Sequence, residues 1–146
     1  MRRHLIVTIF LLSTGILFQA CSGSDYGKYK LQTGNYSFVV TDSLGKHLVE
    51  GDMVLNRTES NGVSGSYEVT KKYVDKLPGM SMSKGIFEGT YDSIKGLVSL
   101  NLNPKMADAN IFVTARIYRT SLAGEWIYST ILGVRGRGNF VAEKVE

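Results

Sequence analysis

The chain has 146 residues, with 17 Lys+Arg against 13 Asp+Glu, one Cys, 16 Gly and 2 Pro. That length allows one domain of ordinary size and argues against a two-domain enzyme with a cleft between its halves. Hydrophobic residues make up 43% of the chain, enough for a core and too many for a disordered segment, and the Gly share lies well above the usual value of roughly 7%.

The first 20 residues have the pattern of a targeting segment. Arg2 and Arg3 form a positive start, and Leu5 to Phe18 is an apolar run broken only by Thr8, Ser13, Thr14 and Gly15. A run of about 14 residues falls short of the roughly 20 needed to cross a bilayer, so a signal-peptide core is expected rather than a span. It ends in Leu17-Phe18-Gln19-Ala20-Cys21. This segment resembles the lipobox of bacterial lipoproteins, in which a small residue precedes a Cys that receives a diacylglycerol and becomes the new N-terminus. The resemblance implies lipidation at Cys21, loss of residues 1–20 and a place in the bacterial cell envelope. Ser22, where an Asp would retain many such proteins at the inner membrane, favours the outer membrane and leaves open which face. Without the leader, 15 Lys+Arg stand against 13 Asp+Glu, so most of the apparent basicity belongs to targeting. No basic stripe with interleaved aromatics points to nucleic acid. Acylation would also leave no thiol for a disulfide, metal or nucleophile, and stability would rest on packing.

Residues 21–33 read as the lipidated Cys and a flexible tether, and 34–146 as the folded domain. Beyond Gly34 the chain falls into short alternating segments bounded by Gly, Asn, Asp and Ser, with no sustained 3.6-residue period. The alternation predicts strands at 34–41, 47–56, 62–73, 84–91, 96–102, 110–118, 122–130 and 136–144. Several connections are short and polar, such as Asp42-Ser43-Leu44-Gly45 and Asp92-Ser93-Ile94-Lys95-Gly96, and such loops join antiparallel neighbours. The expected fold is all-β: an eight-stranded antiparallel up-and-down β-barrel, with a two-sheet sandwich as the rival. Closure removes the unpaired edges of an open meander, and no connection needs a Greek-key crossover.

One phase of each strand is apolar. Glycines 51, 65, 89, 124 and 138 fall in that phase, usually two residues from an aromatic or a large aliphatic. Either they let a small barrel bend and admit rings from across, or they open a cavity. In the second case the cavity would be lined by Tyr36, Phe38, Tyr67, Tyr91, Trp126 and Tyr128, the candidate ligand-binding residues, whose inward hydroxyls would need partners.

Gly34-Asn35-Tyr36 at the first strand and Gly138-Asn139-Phe140 at the last, with a meander between them, resemble the calycin-type barrels: lipocalins, fatty-acid-binding proteins and avidins. The resemblance implies a barrel over about residues 34–144 and binding of an apolar ligand. This chain has Tyr36 where lipocalins have Trp.

In an up-and-down barrel alternate connections share one rim, and here the rim with 42–46, 74–83, 103–109 and 131–135 carries the longer ones. The longest runs from Val74 to Ser83 and carries Leu77, Pro78, Met80 and Met82, a candidate lid or partner-contacting loop. His47 is the one His outside the leader, and no nucleophile elbow, zinc motif or phosphate-cradling loop is present. No catalysis, cofactor or metal is expected. Two functions are: a membrane-anchored binding module that takes a small apolar or aromatic ligand in the barrel mouth, or a structural lipoprotein with a filled barrel that meets an envelope protein through the long-loop rim.

Overall fold

The computed structural model describes residues 30–58, 61–75 and 83–146. Among these, the alternating segments form β1 (Gly34–Asp42), β2 (His47–Arg57), β3 (Gly62–Lys72), β4 (Lys84–Asp92), β5 (Leu97–Asn101), β6 (Ala109–Ile117), β7 (Ser121–Thr130) and β8 (Gly133–Lys144). Each strand is antiparallel to the next, and β8 pairs with β1 from Tyr36↔Lys144 to Asp42↔Gly138, closing the barrel. The expected eight-stranded up-and-down barrel is the fold, and its form is compatible with a calycin-like barrel. Cys21 and the loop residues Leu77, Pro78, Met80 and Met82 lie outside the described residues.

The period-2 phase read from the sequence faces inward. Tyr36, Phe38 and Val40 on β1, Met53 and Leu55 on β2, Val98 and Leu100 on β5, and Ile111, Val113, Ala115 and Ile117 on β6 are all buried. Burial of each large apolar side chain contributes roughly 1.5–3 kcal/mol. Among the described residues no polar or charged side chain is buried. The core is therefore apolar apart from the polar atoms of its Tyr and Trp.

The β1–β2, β3–β4, β5–β6 and β7–β8 connections meet at one end of the barrel, the upper rim. The other connections and both ends of the domain meet at the lower rim. Turn chemistry explains the tight loops. Asp42 accepts from the amides of Leu44 and Lys46 at 2.8 and 2.9 Å, and Asp92 from those of Ile94 and Lys95 at 3.0 and 2.9 Å, each carboxylate standing in for a backbone acceptor.

Two stretches differ from the sequence expectation. β8 starts at Gly133 instead of residue 136, because β7 and β8 continue pairing to Thr130↔Gly133 and only Ile131 and Leu132 turn the chain. Neither is a turn-forming residue, so the sequence pattern pointed to a longer loop. At the lower rim, Leu31 of the expected tether is only 2% exposed and belongs to the core. The side chain of Gln32 beside it donates to the Arg119 carbonyl and accepts from the Lys144 ammonium, both at 2.9 Å. Leu31 thus closes the lower end, and Gln32 clasps it in place.

Candidate functional site

The six candidate aromatics all point inward, and they are distributed along the barrel. Tyr36 and Tyr91 lie toward the lower end. The Tyr36 hydroxyl donates to the Gln32 carbonyl at 2.8 Å, and the Arg57 guanidinium sits 5.5 Å from the Tyr91 ring centroid. Phe38 stacks on Phe140 with centroids 6.1 Å apart. Higher up, the Trp126 indole donates to the Thr41 carbonyl at 2.7 Å, and half-buried Tyr128 packs against the core near the upper rim. Burial pushes the Tyr36 and Tyr67 hydroxyls above their ordinary pKa.

The glycines decide how much room these rings leave. Phe38 lies opposite Gly51, Phe87 opposite Gly65, Tyr67 opposite Gly85 and Trp126 opposite Gly138 in the strand register. A Cβ built on Gly51 would come within 2.6 Å of the Phe38 ring, and one on Gly65 within 2.3 Å of the Phe87 ring. Each missing side chain is thus replaced by an aromatic ring from the neighbouring strand. The same two Cβ atoms would also meet the carbonyls of Glu68 and Val54, at 2.2 and 1.9 Å. The strands are bent so closely at these points that only Gly fits. At these positions the glycines make bends and seats for rings.

Space is found along the β1–β4 wall. A depression of about 800 Å³ runs across it, lined by Asn35, Asp52, Val54, Ser66, Glu68, Lys84, Ile86, Lys105 and Val145, with Tyr36, Met53, Tyr67 and Gly85 behind them. Most of these strand residues belong to the outward phase, so the depression opens on the outside of the wall. Of the six candidates only Tyr36 and Tyr67 border it. The sequence reading followed the inward phase and missed it. The available signal was apolar residues in the outward phase, Val54 and Ile86, which are 40% and 43% exposed.

A polar cluster sits on the outer surface where β2 and β3 approach the upper rim. The Tyr73 hydroxyl donates to Glu50, His47 Nδ1 lies 3.5 Å from the same carboxylate, and the Lys71 ammonium stands 4.5 Å from the Tyr73 ring centroid. The Tyr73 hydroxyl, followed by the charge of Lys71, holds Glu50 below the usual carboxylate range. All four side chains face solvent and pin the strands beside the Glu50/Gly51 register shift. His47 lies in this surface network. Among the described residues no three His, Cys, Asp or Glu side chains converge as metal ligands.

Compared with protein-family models, curated proteins and solved structures, the chain matches none.

Proposed function

We propose that the protein is a lipid-anchored lipoprotein of the bacterial cell envelope, with a diacylglycerol on Cys21 and a filled barrel that works through its outer surface and long-loop rim. The anchor rests on the sequence: a positive start, a short apolar run and the chain's single Cys at its end. The filled barrel rests on one observation, the seating of Phe38 and Phe87 in the gaps left by Gly51 and Gly65. A barrel of this strand number either fills with its own side chains or holds one small ligand, and rings in the glycine gaps favour filling. Cys21→Ser abolishes incorporation of a lipid label and retention in the membrane fraction. Retention without the Cys would refute the anchor. Trp126 emission stays unchanged on titration with fatty acids and aromatic metabolites, and a saturable spectral shift would refute the filled barrel.

A second reading, binding of a small apolar or aromatic ligand, is favoured by the depression on the β1–β4 wall. It moves the ligand from the barrel mouth to an outer surface floored by Val54 and Ile86. In that reading Ile86→Asp abolishes binding and Leu100→Val in the core leaves it intact.

A further inference from the structure

The tip of the β7–β8 hairpin carries apolar side chains where hairpin turns usually carry polar ones or Gly. Two-residue hairpin loops favour Asn-Gly, Asp-Gly or a leading Gly, whose backbone or side chain suits the tight reversal. Here the two residues are Ile131 and Leu132, 81% and 74% exposed, followed by Gly133 at φ +98° and by Val134, which is 54% exposed. Packing does not explain them, because an exposed Ile-Leu pair adds nothing to the core. The Thr130 hydroxyl accepts from the Leu132 amide at 3.2 Å and holds the apolar tip in shape.

The β8 arm of the hairpin is open on one side. The last β1–β8 pair is Asp42↔Gly138, so Gly133 to Arg137 have only β7 beside them and lie past the end of β1, while β6 accompanies β7 as far as Ala109↔Thr130. Two arginines flank the tip on this free arm. Arg135 falls at the Tyr128/Ser129 register shift, where a bulge re-aims side chains, and Arg137 pairs with Ile127; both are exposed. Among the described residues, the ion pairs His47–Glu50 and Lys95–Asp92 leave both guanidiniums out. On the neighbouring β1–β2 loop, Leu44 is 92% exposed with Lys46 two residues on.

We propose that this tip is a membrane-contacting element that seats Ile131, Leu132 and Leu44 in the interface of an anionic phospholipid bilayer, with Arg135 and Arg137 at the phosphates. The charge and the shape both select this occupant. Exposed apolar side chains at a turn with basic residues behind them match a surface whose apolar layer lies beneath anionic headgroups. A second copy or another protein would need a broad face, roughly 800 Å² and 20–30 residues per partner, which a narrow hairpin tip does not offer. The N-terminal segment joins β1 at the opposite rim, so this contact and an N-terminal anchor act at opposite ends of the barrel.

The test places an indole at the tip of the full chain with Leu132→Trp, and at the opposite rim with Ile94→Trp, where the native residue is 75% exposed. Buried Trp126 gives a constant background. Vesicles of phosphatidylglycerol, or of phosphatidylcholine alone, carry brominated acyl chains that quench indoles within the bilayer. Leu132→Trp is quenched by the phosphatidylglycerol vesicles and Ile94→Trp is not. Adding Arg135→Glu and Arg137→Glu weakens that quenching about ten-fold or more, since each basic residue near an anionic surface contributes to binding. Absence of quenching at 132, equal quenching at both positions, or a concentration-dependent dimer lost on Leu132→Asp would overturn the proposal. Co-sedimentation with the neutral phosphatidylcholine vesicles, compared between the chain and Cys21→Ser, reads the lipid anchor without the charge-dependent tip, so failure of one leaves the other standing.

Discussion

The indole of Trp126 on β7 reaches across the full width of β8 to hydrogen-bond the carbonyl of Thr41 on β1 at 2.7 Å. Two features make this possible. The β1–β2 register shifts between Val40 and Thr41, and Gly138, opposite Trp126, has no side chain in the way. A Cβ on Gly138 would come 2.0 Å from the Thr41 oxygen. Trp126→Phe therefore leaves an inward carbonyl without its donor and costs about 1–2 kcal/mol. Gly138→Ala forces the two strands apart and costs about 1–3 kcal/mol. Urea unfolding followed by circular dichroism measures both, and a neutral Trp126→Phe would show that the bond carries no stability.

Pairing of rings with glycines gives a second prediction. Phe87→Ala removes the ring that fills the Gly65 gap and destabilises the barrel by about 3–5 kcal/mol. Gly65→Ala destabilises whether or not the ring is trimmed to Leu, because the Val54 carbonyl, 1.9 Å from the new Cβ, stays where it is. A Phe87→Leu background that rescued Gly65→Ala would show that the ring, and not the backbone, sets the limit.

The strand number, the inward phase and the closure were legible in the sequence because each rests on local alternation and short turns. Tyr36, Phe38 and Val40 could be assigned to one face from their spacing alone. The pairing of Phe38 with Gly51, and of Phe87 with Gly65, could not be read, because it depends on the register between strands, which spacing within a strand does not report. For the same reason the relative heights of the six candidate aromatics were not legible. A shared phase puts residues on the same face, while their heights along the barrel follow from strand stagger. Leu31 was missed because a lone apolar residue among polar neighbours has no period to betray it. The β7–β8 turn was missed because Ile131 and Leu132 lack turn chemistry.

The lower-rim closure predicts a separable contribution from the segment before β1. Leu31→Ala costs about 2–5 kcal/mol, as expected for a buried leucine truncated in a packed site. Gln32→Ala costs less, because Lys144 and the Arg119 carbonyl regain water when released. Amide hydrogen exchange should show faster opening at the lower rim in both variants, with the Trp126 end unaffected. Uniform loosening of the whole barrel would mean that Leu31 is part of the cooperative core and not a local plug.

Alkaline stability reports on two of the buried tyrosines, Tyr36 and Tyr67. Burial raises the pKa of Tyr36 and Tyr67 in the folded chain above the value of about 10 for an exposed phenol. Between that value and the raised ones the unfolded chain has lost these protons and the folded chain has kept them. The folded state then binds more protons, so stability is fully present below pH ~10 and falls as the pH rises through the folded values. Tyr36→Phe with Tyr67→Phe makes the high-pH limb of the stability profile shallower. It also lowers stability at neutral pH, where the Tyr36 hydroxyl no longer bonds the Gln32 carbonyl. Denaturant midpoints measured across the alkaline range separate the two effects. An unchanged slope above pH ~10 would mean that other groups carry the alkaline transition.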